Sequence, residues 1–272
     1  MLEKIKYVNY LGEEILFGEN GIYANANDLH DFSWNINSQN NKISSFKKGI
    51  TKKLLPITIK KRSEEEGIKA RNDLFEICEK DVLNNKKGRL YFGDYYLNCF
   101  VTDSRASDYL YHDAYSVFTL TIQTDYPYWI KESKQTFGTV NTLGKNLDYN
   151  NDFPYDYSSN LLNAKLMNSD FVATSFKMKI IGPAVNPKVT IGSNEYQVNV
   201  TLGSNEYVEI DSIEKTIKHI KANGSVVNAF NKRNKDSYIF EKIPSGSSNI
   251  SISGNFTVIV TLLEERGVPK WI

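Results

Sequence analysis

Residues 114–123 alternate strictly. Tyr115, Val117, Thr119 and Thr121 fall on one face of an extended backbone, and Ala114, Ser116, Phe118, Leu120 and Ile122 on the other. A period of two over this length predicts a half-buried β-strand. Shorter runs of the same character fill most of the chain. Leu90-Tyr91-Phe92 and Tyr95-Tyr96-Leu97 flank Gly93-Asp94 and predict a hairpin with a two-residue turn. Further strands are predicted at 5–10, 32–37 and 57–61. Later, 171–181 closes at Gly182-Pro183 and 189–191 at Gly192, while Asn223-Gly224 predicts a type I′ turn between strands at 217–221 and 225–228. Gly-Ser-Asn-Glu-Tyr occurs at 192–196 and again at 203–207, which reads as two similar strand-opening turns. Short strands at such spacing in the second half favour a β-sandwich or jelly roll.

One segment has the other period. Ala70, Leu74, Ile77, Cys78 and Val82 recur at spacings of three and four, predicting a helix over 64–83 with one face on a sheet. Ser63 and Glu66 form a capping box, and three glutamates occupy the first turn, where the helix dipole favours them. Lys86, Lys87 and Gly88 stop it. The fold class is therefore mainly β with one amino-terminal helix, α+β in its first half.

At 272 residues the chain is long enough for two modest domains or one large β domain. The character changes after Tyr126-Pro127-Tyr128-Trp129, so the expected division is a β-rich domain at 1–131, a connecting segment at 132–168 and a β-sandwich at 169–272. Phe153, Tyr155 and Tyr157 argue that the connection lies along a surface, since free linkers are poor in aromatics. No apolar run approaches the roughly 20 residues of a membrane-spanning helix. Glu3, Lys4 and Lys6 oppose a secretory leader, so the expected site of folding is a cytoplasm.

Catalytic signatures are missing. There is no G-x-S-x-G elbow, Walker loop or G-x-G-x-x-G. Cys78 and Cys99 read as small buried hydrophobes, and His30, His112 and His219 are too scattered for a metal site. Asp148, Asp152 and Asp156 recur every fourth residue, without the spacing of a calcium loop. Neither a metal nor a cofactor is expected.

Net charge is +1, yet 32–63 carries Lys42, Lys47, Lys48, Lys52, Lys53, Lys60, Lys61 and Arg62 with no acidic residue. Three readings stay open. The cluster could neutralise phosphates, with Trp34 and Phe46 stacking on bases. It could guard an edge strand, which Pro56 would suit, or meet an acidic protein partner. The aromatic run Tyr109-Leu110-Tyr111-His112 and the Tyr155 region fit sugar stacking or a protein interface equally well.

The order of features is more specific than any one of them. The β-rich first half with one helix leads to Tyr126-Pro127-Tyr128-Trp129. Ile181-Gly182-Pro183, Asn186-Pro187, Val189-Thr190-Ile191 and Ile210-Asp211 follow, then Ile243-Pro244-Ser245-Gly246 and Asn249-Ile250-Ser251-Ile252. This order resembles the distal tail protein of long-tailed bacteriophages over most of the chain. The resemblance implies a first domain that closes as a homo-hexameric ring at the end of the tail tube, and a galectin-like second domain. The implied partners are the tail tube protein, a tail-associated lysin or tip protein and a receptor-binding protein. DNA only passes through the channel, no membrane is bound, and there are no catalytic residues to carry over. Assembly in a host bacterial cytoplasm and residence in the virion tail follow from the same resemblance. On this reading Lys47, Lys48, Lys52, Lys53, Lys60, Lys61 and Arg62 face a subunit or tube interface. The alternatives are a cell-surface carbohydrate-binding module and, more remotely, a glycan-degrading tail enzyme.

Overall fold

The computed structural model describes residues 5–18, 20–106, 114–138 and 164–270. The Tyr109–His112 run, the three recurring aspartates and Phe153, Tyr155 and Tyr157 lie outside the described residues. The chain divides into two compact units, Met1–Lys131 with Glu265–Ile272, and Glu132–Glu264. Among the described residues the fold is mainly β, and the one α-helix is that which the sequence predicts.

In the first unit the elements are β1 (Ile5–Val8), β2 (Glu14–Phe17), β3 (Ile22–Ala24), β4 (Asn35–Gln39), β5 (Lys42–Lys47), β6 (Thr51–Lys60), α1 (Glu64–Leu83), β7 (Gly88–Phe92), β8 (Tyr95–Ala106) and β9 (Tyr115–Thr124). Strands β8, β7, β1 and β2 run side by side, all antiparallel, and β3, β6 and β9 form a second run. The long β8 belongs to both. Tyr95–Cys99 pairs with β7, and Phe100–Ala106 pairs with β9 after a register shift between Val101 and Asp103. Such a bulge bends a strand and lets it turn from one sheet to the next. The hairpin expected at Gly93-Asp94 forms, with Phe92 opposite Tyr95 and Gly93 at φ 55°.

Helix α1 begins as its sequence requires, the Glu66 N–H donating to Ser63 Oγ at 3.3 Å. It packs on β8, β6 and β9 through Ala70, Leu74 and Cys78. The inward stripe ends differently from the expectation: Asp81 is buried, whereas Val82 is 44% exposed. A carboxylate can hold a core position there because it is hydrogen-bonded. Tyr7 Oη donates to Asp81 Oδ2 at 2.5 Å and the Tyr10 N–H to Oδ1 at 2.9 Å. In β9, Leu120 and Ile122 are buried as the alternation predicts, but so is Thr121. This part of β9 is covered on both faces.

The second unit is a β-sandwich. One sheet orders Val226–Asn228, Thr216–Ile220, Tyr207–Asp211, Ser175–Ile181 and Thr257–Arg266; the other orders Lys165–Asn168, Gly246–Ile252, Lys188–Ile191 and Asn194–Gln197. Alternate residues of each close one core, with Phe176, Met178 and Ile180 from one sheet and Val189, Ile191 and Tyr196 from the other. Phe176 meets Tyr196 edge to face at 5.2 Å between centroids.

The turn chemistry departs from the sequence reading at two places. Of Asn223-Gly224 only Gly224 has positive φ (81°), and its N–H donates to Lys221 O at 2.8 Å. A type I′ turn needs positive φ at both central residues, so this is a type I turn followed by a glycine bulge. Asn223 instead accepts the Ser225 N–H on its side chain at 3.0 Å. The repeated Gly-Ser-Asn-Glu-Tyr opens a strand each time, but with different geometry. Gly192 (φ 59°) takes the left-handed position in the first copy and Asn205 (φ 63°) in the second.

Candidate interaction surface

Strands β4 and β5 stand apart as their own two-stranded sheet. Asn40 and Asn41, at φ 51° and 59°, make the tight turn, with Gln39 opposite Lys42. Asparagine tolerates this conformation better than other non-glycine residues, and two in succession give the primed turn that matches strand twist. Ile36 lies opposite Phe46 and Ser38 opposite Ile43. Strict alternation would place Ile43 and Phe46 on opposite faces. The register shift in β4–β5 returns both to one face.

The result is an amphipathic ribbon. Its apolar face carries Trp34, Ile36, Ile43 and Phe46, which are 40, 57, 58 and 56% exposed. The other face carries Asn35, Asn37, Ser45 and Lys47, with Asn37 Nδ2 donating to Ser45 Oγ at 3.0 Å. A lone two-stranded ribbon is marginal in water. Each large apolar side chain moved from water into a core contributes about 1.5–3 kcal/mol. The chain therefore leaves a substantial free energy of burial unrealised at this arm.

The base of the arm is fixed by Lys48. Its Nζ lies 4.8 Å from the Trp34 ring and 5.1 Å from that of Tyr128, and donates to Pro127 O at 3.1 Å and Gly267 O at 3.4 Å. Burial, with the nearby Lys53 charge adding to it, holds this lysine below its ordinary range. Trp34 meets Phe46 and Tyr128 edge-on at 6.4 and 6.3 Å. With Lys48 at the ring and Phe46 and Tyr128 beside it, Trp34 is anchored at the base of the arm and is not an open stacking platform.

The basic cluster does not act as one patch. Lys53 is buried, and its Nζ donates to Asp28 O at 2.7 Å and to Asp31 O. Lys61 donates to Asn20 O. Together with Lys48, these lysines tie loops to the unit. Lys47, Lys52, Lys60 and Arg62 are exposed. Lys52 and Lys60 share a face of β6 but stand about 26 Å apart along it. Pro56 lies in the part of β6 that β3 does not reach, since β3 pairs only with Ile57, Thr58 and Ile59. Beyond β3 that side of β6 is met by the 25–31 loop, the Asn25 N–H donating to Pro56 O at 2.8 Å and the Leu54 N–H to Asp28 Oδ1 at 2.8 Å, so Pro56 does not mark an open edge there.

The remaining candidate groups are structural. Burial pushes the Cys78 thiol up to about 12 and raises Cys99 likewise, so neither supplies a thiolate near neutral pH. Among the described residues no group of three or more His, Cys, Asp or Glu is placed to hold a metal. In the second unit Phe230 stacks on Phe240 and Tyr238 meets Phe240 edge-on, but of these only Tyr238 is exposed.

The arm is not the strand expected at 32–37: its strands begin at Asn35 and Lys42, and its signals in the sequence are Asn40-Asn41 and the apolar residues on either side.

No family model and no curated protein matches the chain. Solved structures do. A chain of the phage P2 baseplate in its activated conformation with calcium superposes with a TM-score of 0.63 at 13% identity, covering 99% of this chain and all of that one. The same baseplate with strontium gives 0.65 at 13%. The Dit protein of phage SPP1, described as a paradigm of the hub adsorption apparatus in phages that infect Gram-positive bacteria, gives 0.57 at 9%, covering 97% of this chain and all of Dit. Over essentially its whole length, this chain has the fold of phage baseplate and adsorption-hub proteins.

Proposed function

We propose that this chain is a structural component of a phage or prophage tail, acting as a hub at the distal end of the tail tube. The first unit closes with copies of itself into a ring, hexameric by the resemblance. The ring joins the tube to tip and receptor-binding proteins, and the chain resides in the virion tail without catalytic work. The observation that carries this reading is the uncovered amphipathic arm at 35–47. It is an assembly element by its physics: ordered, apolar on one face, and anchored at its base by Lys48. The shared fold supports the role, since the whole chain matches proteins from baseplates and an adsorption hub. Charge is consistent with a channel that lets DNA pass: residues 1–130 hold 17 basic and 18 acidic side chains. The exposed Lys47, Lys52, Lys60 and Arg62 are the members of the basic cluster available to subunit or tube contacts. Electron microscopy of the purified chain, alone and with its tail tube protein, tests the proposal. Closed rings are expected; particles that stay single under both conditions would overturn it.

A further inference from the structure

An open groove of about 580 Å³ lies in the first unit beside α1. Its apolar lining comes from Ile15, Leu16 and Ile22 on the strand side and Leu74 and Ile77 on the helix. One wall is β2, the end strand of its run; among the described residues no strand pairs its outer edge. The lining holds five carboxylates against three lysines, a net of −2. Of these, Glu13 and Glu76 share Lys80 at 2.9 and 3.0 Å, while Asp73 has an exposed carboxylate on the helix.

We infer that this groove receives the β4–β5 arm of a second copy. The inference rests on the ring reading above and names its contact. Three complementarities support it. The arm is apolar on one face, and the groove partly exposes Leu16, Ile22 and Ile77 among its charged side chains. Residues 35–47 carry Lys42 and Lys47 with no acid, a charge of +2, against the −2 of the groove. The lengths agree: a six-residue strand extends about 20 Å, and the helical stretch lining the groove, 66–80, rises about 21 Å. The open edge of β2 offers main-chain donors and acceptors to an added strand, as in β-augmentation. Arm and groove are different surfaces, so the contact is heterologous and yields a closed ring or an open filament, not a two-fold dimer.

Charge reversal tests the pairing on the full chain. K42E with K47E reverses the arm, and D73K with E76K reverses the groove; all four sites are exposed, and melting curves check folding. Each reversed variant alone should assemble with at least a tenfold weaker dissociation constant. An equimolar mixture of the two should recover assembly, because each reversed arm then finds a reversed groove. A cysteine pair, F46C with D73C, should crosslink between chains, and the buried Cys78 and Cys99 should not compete. Wild-type rings with undiminished assembly of both reversed variants would overturn the arm–groove contact and leave the ring reading standing. Crosslinks confined within one chain would overturn it as well. So would groove reversals that spare the ring but abolish binding of another tail protein. Absence of any wild-type ring, even with tail tube protein, would overturn the ring reading and this contact together.

Discussion

Gly88 should tolerate no side chain. A Cβ built there lies 2.2 Å from Asp81 Oδ2 and 2.4 Å from Tyr7 Oη, well inside any tolerated contact. Both groups are buried and bonded to each other, and Asp81 also accepts the Tyr10 N–H, so neither can swing into solvent. Gly88→Ala must strain the pleat or separate the pair. Overpacking costs about 1–3 kcal/mol, and each buried polar group left unpaired costs about 1–3 kcal/mol. The gain from lower backbone entropy is at most about 1 kcal/mol. The expected net loss is about 2–4 kcal/mol, or on the order of 10 °C in the melting temperature of this unit. Urea unfolding followed by emission of Trp129, which is buried in the same core, measures it. Asp81→Ala removes one of the two clashing groups and gives Tyr7 room to shift. The double variant should therefore recover about 1–2 kcal/mol relative to additivity. Unchanged stability in Gly88→Ala, or strictly additive losses, would show that no clash with the Tyr7–Asp81 pair exists.

Asp81 also gives a pH signature. Burial raises its folded pKa above the ordinary carboxylate value, against the lowering effect of its bonds from Tyr10 and Tyr7. The folded state then holds a proton that the unfolded chain has released, so this group's contribution falls as pH rises through the window between the two values. Asp81→Asn removes that dependence, and its stability relative to wild type should climb with pH across the window; parallel curves would contradict this. Lys53→Met removes the buried ammonium that ties the Asp28 and Asp31 carbonyls to β6 and should cost about 1–3 kcal/mol. Lys52→Met, on the exposed face of the same strand, should stay within about 0.5 kcal/mol by the same unfolding assay.

Local rules made much of this fold legible. Ser63, the three glutamates and the apolar spacing placed α1 at Glu64–Leu83, and Gly93 placed the β7–β8 turn. What the sequence hid is long-range. Asp81 occupies a core position because Tyr7 and Tyr10, some seventy residues earlier, satisfy it. Lys48 and Lys53 looked like surface charge, but their partners are carbonyls brought close only by folding. The arm was hidden for a related reason: its bulge breaks the period of two, so Ile43 and Phe46 do not read as one face. Asn223-Gly224 shows the limit of dipeptide rules, since a side-chain bond to Ser225 accompanies a different turn.

If the arm closes a ring, its apolar face must hold the copies together. Native mass spectrometry of the full chain with tail tube protein decides this by comparing wild type with a triple variant carrying Ile36→Ser, Ile43→Ser and Phe46→Ser. Wild type should give a discrete six-copy species, and the variant single chains with an unchanged melting temperature. Rings of equal abundance from both proteins, or single chains from both, would contradict it.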